Sequence, residues 1–319
     1  MKRIVWAVVG CGLLWACTRE EPGEGASRPQ TVTRRVSIEA SVPATRTQLA
    51  DDGYSVLWSP GDTIGVYVMS GDVFTTVNAP LVFAGSDPAA SGLFTGDIAL
   101  AADSASYTLY AYFPYSAQRS TDATGVACTL ASQQSQLAAG DSSHLGEWDF
   151  LVSGALRSTT GDFGALSFRH AFAVVEVDLT GSGAMAGKSV ASVTLYSTDA
   201  ATVQSDGSLV GTSNMAGDFT FDLTAATANN TATYASGSAQ INSCGVDFTN
   251  QPVLGADTLR TYVVVNPADY SQGNGEVYVV VETADGYTST TALPGIVISA
   301  GQMKVIRQNL SSGTAPQPT

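Results

Sequence analysis

The near absence of any helical pattern is the strongest constraint on what this chain of 319 residues can fold into. Short runs rich in Val, Tyr, Phe, Thr and Leu follow one another, and clusters of Gly, Pro, Asp and Ser separate them. This spacing is typical of strands in β-sandwiches. Only residues 131–140, ASQQSQLAAG, would allow one or two turns of helix. The sequence therefore predicts an all-β protein.

Two series of predicted strands indicate two domains. The first series runs over residues 36–162 and the second over residues 163–310, and each is long enough to bury a core of its own. We expect two β-sandwiches in tandem, with a flexible tether at residues 18–35 and a disordered tail at residues 311–319. The tail, SSGTAPQPT, shows no alternation and contains two prolines, so it offers no strand.

The first seventeen residues have the parts of an export signal. MKR is basic, the apolar run IVWAVVGCGLLWA is too short to span a bilayer, and a polar segment follows Cys17. LLWAC resembles the lipobox of bacterial lipoproteins. That resemblance implies acylation of Cys17, with palmitate or similar chains as the anchor. VVGC, ending at Cys11, is a shorter competitor for the same role.

Composition and charge exclude several classes of protein. The chain carries 14 Lys and Arg residues against 28 Asp and Glu residues, which gives a formal net charge of −14. A protein of this negative charge is repelled by the phosphate backbone of nucleic acid, so we expect no nucleic-acid partner. An apolar content of 44% excludes general disorder. Cys128 and Cys244 are expected to be buried thiols in different domains.

The first predicted strand is an amphipathic segment just before an isolated basic residue. In VSIEASV, the side chains of Val36, Ile38, Ala40 and Val42 share one face, which is the period of a half-buried strand. Pro43 ends the strand.

The basic residues are unevenly placed. Seven of the 14 lie at or before Arg46, and the next one along the chain is Arg119. A trypsin-like protease therefore has one clean target, Arg46, between the first strand and the body of the chain. Arg34 and Arg35 are alternative targets.

Several motifs then occur in a characteristic order. After the lipobox and the first strand come TRT at 45–47, VLWSPGDTIGVYV at 56–68, LSFRHAFAVVEV at 166–177 and SAGQMKVIRQNL at 299–310. In this order they resemble the fimbrillin-like pilin lipoproteins of the Bacteroidota, the subunits of type V pili. The resemblance covers nearly the whole chain.

This resemblance implies a fold and a function. Two transthyretin-like β-sandwich domains would form a pilus subunit that reaches the outer membrane as a lipoprotein and ends in a surface fimbrium with a role in adhesion. An extracellular Arg-specific protease would cut between Arg46 and Thr47 and release the strand that carries Val36, Ile38, Ala40 and Val42. The emptied groove would accept a strand from another pilus subunit by donor-strand exchange. Because little follows Leu310, the chain suits a tip or terminal position.

No residue pattern indicates catalysis or metal binding. His144 lies in the polar loop GDSSH, whose overlapping motifs cannot form a triad from separate elements, and His170 lies on a strand as a structural histidine. Asp51-Asp52-Gly53 lacks the further oxygen ligands of a calcium loop. We therefore expect no enzyme activity, no cofactor and no metal.

The aromatic residues decide against the main alternative function. A monomeric glycan-binding surface lipoprotein would need an exposed aromatic platform. We expect Trp58 and the tyrosines of YTLYAYFPY, residues 107–115, to pack in the core instead.

Overall fold

The computed structural model describes residues 30–41, 57–119, 122–197, 202–203, 209–210, 215–225, 233–234, 241–270 and 276–316. These residues form 23 strands and two short 3-10 helices, Ser143–Glu147 and Gly183–Met185. The prediction of an all-β fold is confirmed. The division into two transthyretin-like sandwiches stays a prediction. In the described part of the chain, no helix has the length and apolar character needed to cross a membrane.

The strands of the first half, in chain order, are β1 (Thr31–Ser41), β2 (Thr63–Ser70), β3 (Val73–Phe83), β4 (Ser91–Ala101), β5 (Tyr107–Phe113), β6 (Val126–Leu130), β7 (Gln133–Gln136), β8 (Leu151–Ser153), β9 (Leu156–Ser158) and β10 (Leu166–His170). Those of the second half are β11 (Ala173–Gly181), β12 (Val190–Ser197), β13 (Thr202–Val203), β14 (Leu209–Val210), β15 (Gly217–Phe221), β16 (Thr233–Tyr234), β17 (Ser243–Phe248), β18 (Leu259–Val265), β19 (Ala268–Asp269), β20 (Glu276–Thr283), β21 (Thr288–Pro294), β22 (Val297–Ile298) and β23 (Met303–Leu310).

The largest sheet closes on itself. Its strands follow the order β2-β3-β4-β1-β10-β8-β5, and β5 pairs back onto β2, while β9 attaches to β5. We call the closed set of seven strands the ring. A closed sheet leaves no strand with a free edge, so each member, β1 included, has a neighbour on both sides.

The second half of the chain forms smaller sheets. A five-stranded sheet has the order β21-β20-β12-β17-β7, and a three-stranded sheet has the order β18-β11-β23. A further sheet has the order β16-β15-β6, and β13–β14 and β19–β22 form short pairs.

Strand pairing crosses the predicted domain boundary in both directions. β6 and β7 precede residue 162, yet they pair with β15 and β17. β10, which the sequence places at the start of the second domain, pairs with β1 and β8 in the ring. Alternation along a strand identifies which face is buried but carries no information about the partner strand. The sequence therefore contains no local signal for these pairings across the boundary.

Three segments differ from their predicted structure. β1 begins at Thr31, so its first five residues lie in the segment predicted as a tether. β7 is a strand where helical turns were allowed. Its residues, QQSQ, show no apolar period of either kind, so the sequence could not distinguish a strand from a helix here. In the predicted tail, Thr314 forms an antiparallel bridge with Thr288.

The buried side chains form two clusters, and β5 contributes to both of them. Tyr107 and Leu109 belong to the cluster inside the ring. Tyr110 and Tyr112 point the other way and belong to a larger cluster, which continues through the second half of the chain. Among the aromatic residues expected to pack in the core, Trp58, Tyr107, Tyr110 and Tyr112 are buried, whereas Tyr115 is half-buried. The ring is therefore joined to the rest of the protein by apolar packing as well as by the chain.

Two glutamine side chains of β7 seal the outer edge of β18. The amide of Gln134 accepts from Val264 N–H at 3.0 Å and donates to Val264 O at 2.7 Å. Gln136 bonds to two further residues of this edge, accepting from Tyr262 N–H at 3.0 Å and donating to Arg260 O at 3.1 Å. Both glutamines are buried. Their amides take the place of a neighbouring backbone, so this edge cannot add another strand.

We predict that Gln136→Ala destabilises the protein strongly. The substitution leaves the buried N–H of Tyr262 and the hydroxyl of Thr261, which donates to Gln136 Oε1 at 2.9 Å, without an acceptor. Each of these two unsatisfied buried groups costs about 1–3 kcal/mol, so the free energy of unfolding should fall by about 2–6 kcal/mol in urea denaturation. Gln133→Ala, an exposed position on the same strand, is the control. Equal losses in the two variants would contradict the prediction.

Candidate functional site at the first strand

β1 joins two strands that do not otherwise meet. On one side it pairs antiparallel with β4 over its whole length, from Thr31 opposite Ala101 to Ser41 opposite Ser91. On the other side it pairs parallel with β10, only at Ala40 and Ser41. Among the described strands, β1 closes the ring between β4 and β10, and its contact with β10 is short.

The side chains of β1 follow the predicted alternation. Ile38 and Ala40 are 2% and 0% exposed and lie in the cluster inside the ring, and Val36 packs partly against it. Residues 31–35 are exposed at every position. Only the second half of β1 thus fills a place in the core. Val42, the fourth residue predicted on this face, lies outside the described residues.

Trp58 holds the buried half of β1 from within the ring. Its indole N–H donates to Ala40 O at 3.2 Å, and the side chain is fully buried. Edge-on contacts surround it, with ring centroids 4.9 Å from Phe94, 5.3 Å from Phe113 and 5.5 Å from Phe168. These rings come from β4, β5 and β10, so one residue ties β1 to three strands of the ring.

Two glycines of β4, opposite the apolar face of β1, leave room for residues of the neighbouring strand β3. Gly92 lies opposite Ala40, and Gly96 lies opposite Val36. A Cβ at Gly92 would lie 2.4 Å from the ring of Phe83, and one at Gly96 would lie 2.4 Å from Pro80 O. β3 therefore covers β4 too closely for any side chain at these two positions.

Two ion pairs anchor the exposed half of β1. The guanidinium of Arg34 contacts Asp162, beyond β9, and Arg35 Nη1 lies 3.7 Å from Asp97 Oδ1 on β4. All four side chains are largely exposed, and pairs of this kind contribute about 0–1 kcal/mol each. Neither pair could be predicted from the sequence, since the partners are distant along the chain.

β10, the other neighbour of β1, is fixed in part by a half-buried histidine. His170 Nδ1 lies 2.5 Å from Asp149 Oδ1, and Ala171 N–H donates to Phe150 O at 2.8 Å. Burial alone would lower the pKa of His170, but the hydrogen bond and charge of Asp149 outweigh it and raise the pKa above its ordinary value. His170 is thus the structural histidine that the sequence predicted.

The other residues singled out in the sequence lie elsewhere or outside the described residues. Cys17, Arg46 and Thr47 belong to the latter group. Cys128 and Cys244 are free and buried as predicted, but they share one core because β6 joins the second half of the chain. Burial raises their pKa values to about 11 and about 12, so neither thiol is reactive.

His144 serves the sealed edge of β18 and not a catalytic site. Its Nε2 contacts Tyr262 O at 3.1 Å, and burial lowers its pKa. Among the described residues, no group of His, Cys, Asp and Glu has an arrangement that could hold a metal ion.

Comparison with known proteins identifies the family. The model of the family described as fimbrillin-like matches residues 45–314. The chain belongs to the fimbrillin-like family. The match begins next to Arg46, so β1 lies ahead of the matched residues. Members of this family are fimbrial structural proteins, which confirms that the chain is not an enzyme and implies a place in a cell-surface fimbrium with other pilus subunits.

Solved structures of similar fold support the same architecture. A candidate cell adhesion protein from Bacteroides ovatus is 15% identical, with a TM-score of 0.55 over 90% of this chain and 97% of its own. Another from Bacteroides uniformis is 17% identical, with a TM-score of 0.51 over 88% of this chain and 94% of its own. At these identities the likeness is one of fold. No curated protein matches the chain.

We predict that the two histidines give opposite dependences of stability on pH. The pKa of His170 is raised by folding, so its contribution is fully present below the unfolded pKa of about 6.5 and is lost as pH rises through the folded pKa. The pKa of His144 is lowered, so its contribution is present above about pH 6.5 and is lost as pH falls through the folded pKa.

Denaturant unfolding of His170→Asn and His144→Asn between pH 5 and pH 9, compared with the wild type, tests this. In the wild type, His170 makes the free energy of unfolding decrease as pH rises, and this decrease should be absent in His170→Asn. His144 makes it decrease as pH falls, and that decrease should be absent in His144→Asn. The same sign of change in both variants would contradict the assignment.

Proposed function

We propose that this protein is a fimbrial subunit whose β1 is removed by proteolysis after Arg46 and replaced by a strand from another subunit. The observation that carries the proposal is the position of β1, which among the described strands is the one that pairs with both β4 and β10. A strand with a neighbour on each side leaves two edges unpaired when it departs, and unpaired edges recruit a new strand.

Loss of β1 would leave an acceptor groove with defined features. Its longer wall is β4, which offers eleven residues for pairing, and its shorter wall is the start of β10. Its floor includes Trp58, whose indole N–H loses its acceptor at Ala40 O. A donor strand would regain this bond through its own carbonyl.

The positions of the basic residues favour Arg46 over its alternatives. A cut after Arg34 or Arg35 would leave residues 36–41, the half of β1 with the buried side chains, joined to the body of the chain. Downstream, Arg119 donates to Ala127 O at 2.7 Å, and its guanidinium lies 4.7 Å from the centre of the Phe150 ring. An arginine held in this way is a poor protease substrate, because its side chain must first be freed.

Residues after β23 support a terminal position in the fimbrium. Ser311 O accepts from Ala184 N–H at 3.1 Å, and Thr314 exchanges backbone hydrogen bonds of 2.8 and 3.0 Å with Thr288. This segment is thus engaged by its own subunit and is not presented as a donor. The chain would accept a strand without passing one on, and its role in adhesion would follow from that position.

We predict that Arg46→Ala prevents release of β1 without unfolding the protein. An Arg-specific protease should cut the wild type once, to give a new N-terminus at Thr47, and should leave Arg119 intact. The variant should stay uncut and should not join fibres of a purified stalk subunit. Its stability should change by no more than about 0.5 kcal/mol, as is usual away from packed sites.

Sequencing of new N-termini and electron microscopy of fibres measure these outcomes. Arg35→Ala is the matched control and should be cut and assembled like the wild type. Incorporation of Arg46→Ala into fibres would disprove the role of this residue. A wild type that is never cut at the cell surface would instead favour a monomeric surface lipoprotein.

We also predict that Cys17 is the anchor of a lipid-linked precursor in the outer membrane. Cys17→Ala should abolish incorporation of labelled palmitate and move the protein out of the membrane fraction, since acyl chains supply the membrane affinity. Cys11→Ala, the control, should be labelled like the wild type. Labelling that is lost only in Cys11→Ala would transfer the anchor to that residue.

A further inference from the structure

One wall of the acceptor groove carries a half-buried cation without a counter-ion. Arg169 lies on β10, and among the described residues it has no ion pair and no hydrogen bond. Arg34, Lys188 and Arg260, by contrast, each contact a carboxylate. Burial is the sole cause of a lowered pKa at Arg169, so no charge of the described chain offsets the loss of water around the guanidinium. Such a cation is costly unless an anion accompanies it.

The neighbours of Arg169 on its own face of the sheet do not supply a carboxylate. Val152 of β8 lies opposite Arg169, is fully buried and pairs in turn with Tyr112 of β5. Ser167 lies two residues back along β10, on the same face. All three side chains are uncharged. The flank of Arg169 that remains is the one on which β1 lies.

β10 extends past the end of β1 along this flank. The last residue of β1, Ser41, lies opposite Ser167, whereas β10 continues over residues 168–170. The next obstacle is Gly301, where a Cβ would lie 3.8 Å from His170 Cβ. A cut after Arg46 removes residues 42–46 together with β1. A donor strand could therefore pair with residues 168–170 before it reaches Gly301.

The parallel register fixes which donor residue meets Arg169. Ala40 lies opposite Leu166 and Ser41 opposite Ser167, so partners advance together by one residue on each strand. A donor residue two places after the one that replaces Ser41 would thus lie opposite Arg169. Its side chain would share the face of Ser167 and Arg169, because side chains two apart point the same way. Neighbouring strands lie about 4.8 Å apart, which is within reach of a guanidinium.

We propose that Arg169 selects a donor strand that carries Asp or Glu at this position. The carboxylate accepts two parallel hydrogen bonds from the guanidinium, a geometry that other acceptors match less well. In this chain the residue two places after Ser41 is Pro43, which is uncharged. The segment that cleavage removes therefore does not carry the acid that the donor would bring. The inference rests on the proposed strand exchange and names the chemistry of its partner.

Peptides that copy β1 test the selectivity on the wild-type protein after it has been cut by an Arg-specific protease. The acidic probe has the sequence of residues 31–42 followed by Glu, and the neutral probe ends in Gln; both are amidated at the C-terminus. Fluorescence anisotropy should give a Kd about tenfold lower for the acidic probe, as expected for a hydrogen bond to a charged group.

A third probe tests the register. It has Glu in place of Val42 and Gln at its end, which puts the acid on the opposite face of the strand. This probe should bind no more tightly than the neutral one. Binding as tight as that of the acidic probe would overturn the assignment of the acid to the position opposite Arg169.

Two variants test the role of the arginine. Arg169→Gln should bind the acidic and neutral probes within about twofold of each other, and its unchanged affinity for the neutral probe would show that it is folded. Arg157→Gln, which removes an exposed arginine on β9, is the matched control and should keep the tenfold preference.

Two further outcomes separate this inference from the strand exchange on which it rests. Equal binding of the acidic and neutral probes by the wild type, or an undiminished preference in Arg169→Gln, would overturn the selectivity and leave strand exchange intact. Failure of all three probes to bind the cut wild type would overturn strand exchange itself, and the selectivity with it.

Discussion

The pairing of β1 with β4 is the contact on which the ring depends. It extends over eleven residues on one side, while the other side of β1 touches β10 only at Ala40 and Ser41. A closed sheet gains its stability from having no open edge, so a strand in this position contributes more than its own hydrogen bonds. Only two of its side chains, Ile38 and Ala40, are buried, so the strand contributes little to the core inside the ring. The strand that closes the ring is therefore also one that places few side chains in its core.

Aromatic packing keeps the ring intact around that strand. Trp58 contacts rings on β4, β5 and β10, and on the opposite face of β5 Tyr112 stacks on Phe150, with centroids 6.0 Å apart. These contacts fix β5 and its neighbours from both faces. None of these rings belongs to β1, so the contacts among them do not involve side chains of that strand.

The sequence predicted local structure well and long-range pairing poorly. The alternation that buries Ile38 and Ala40 was visible because a half-buried strand has a period of two, and Trp58 could be placed in the core by its size and apolar flanks. The partners of β6, β7 and β10 could not be predicted, since a strand's period does not depend on which strand lies beside it. The sealing role of Gln134 was hidden for a related reason, because buried polar residues in a short run resemble a loop.

The edge of β18 and the edge of β4 are closed in different ways. The edge of β18 is closed by the amides of Gln134 and Gln136, which are covalently part of the domain and cannot leave. The edge of β4 is closed by a whole strand that one backbone cut would leave bound only by noncovalent contacts. If both edges were closed by removable strands, cleaved subunits would add strands at two places and would branch or aggregate. Of these two edges, only that of β4 is closed by a strand whose backbone a protease could separate from the rest of the chain.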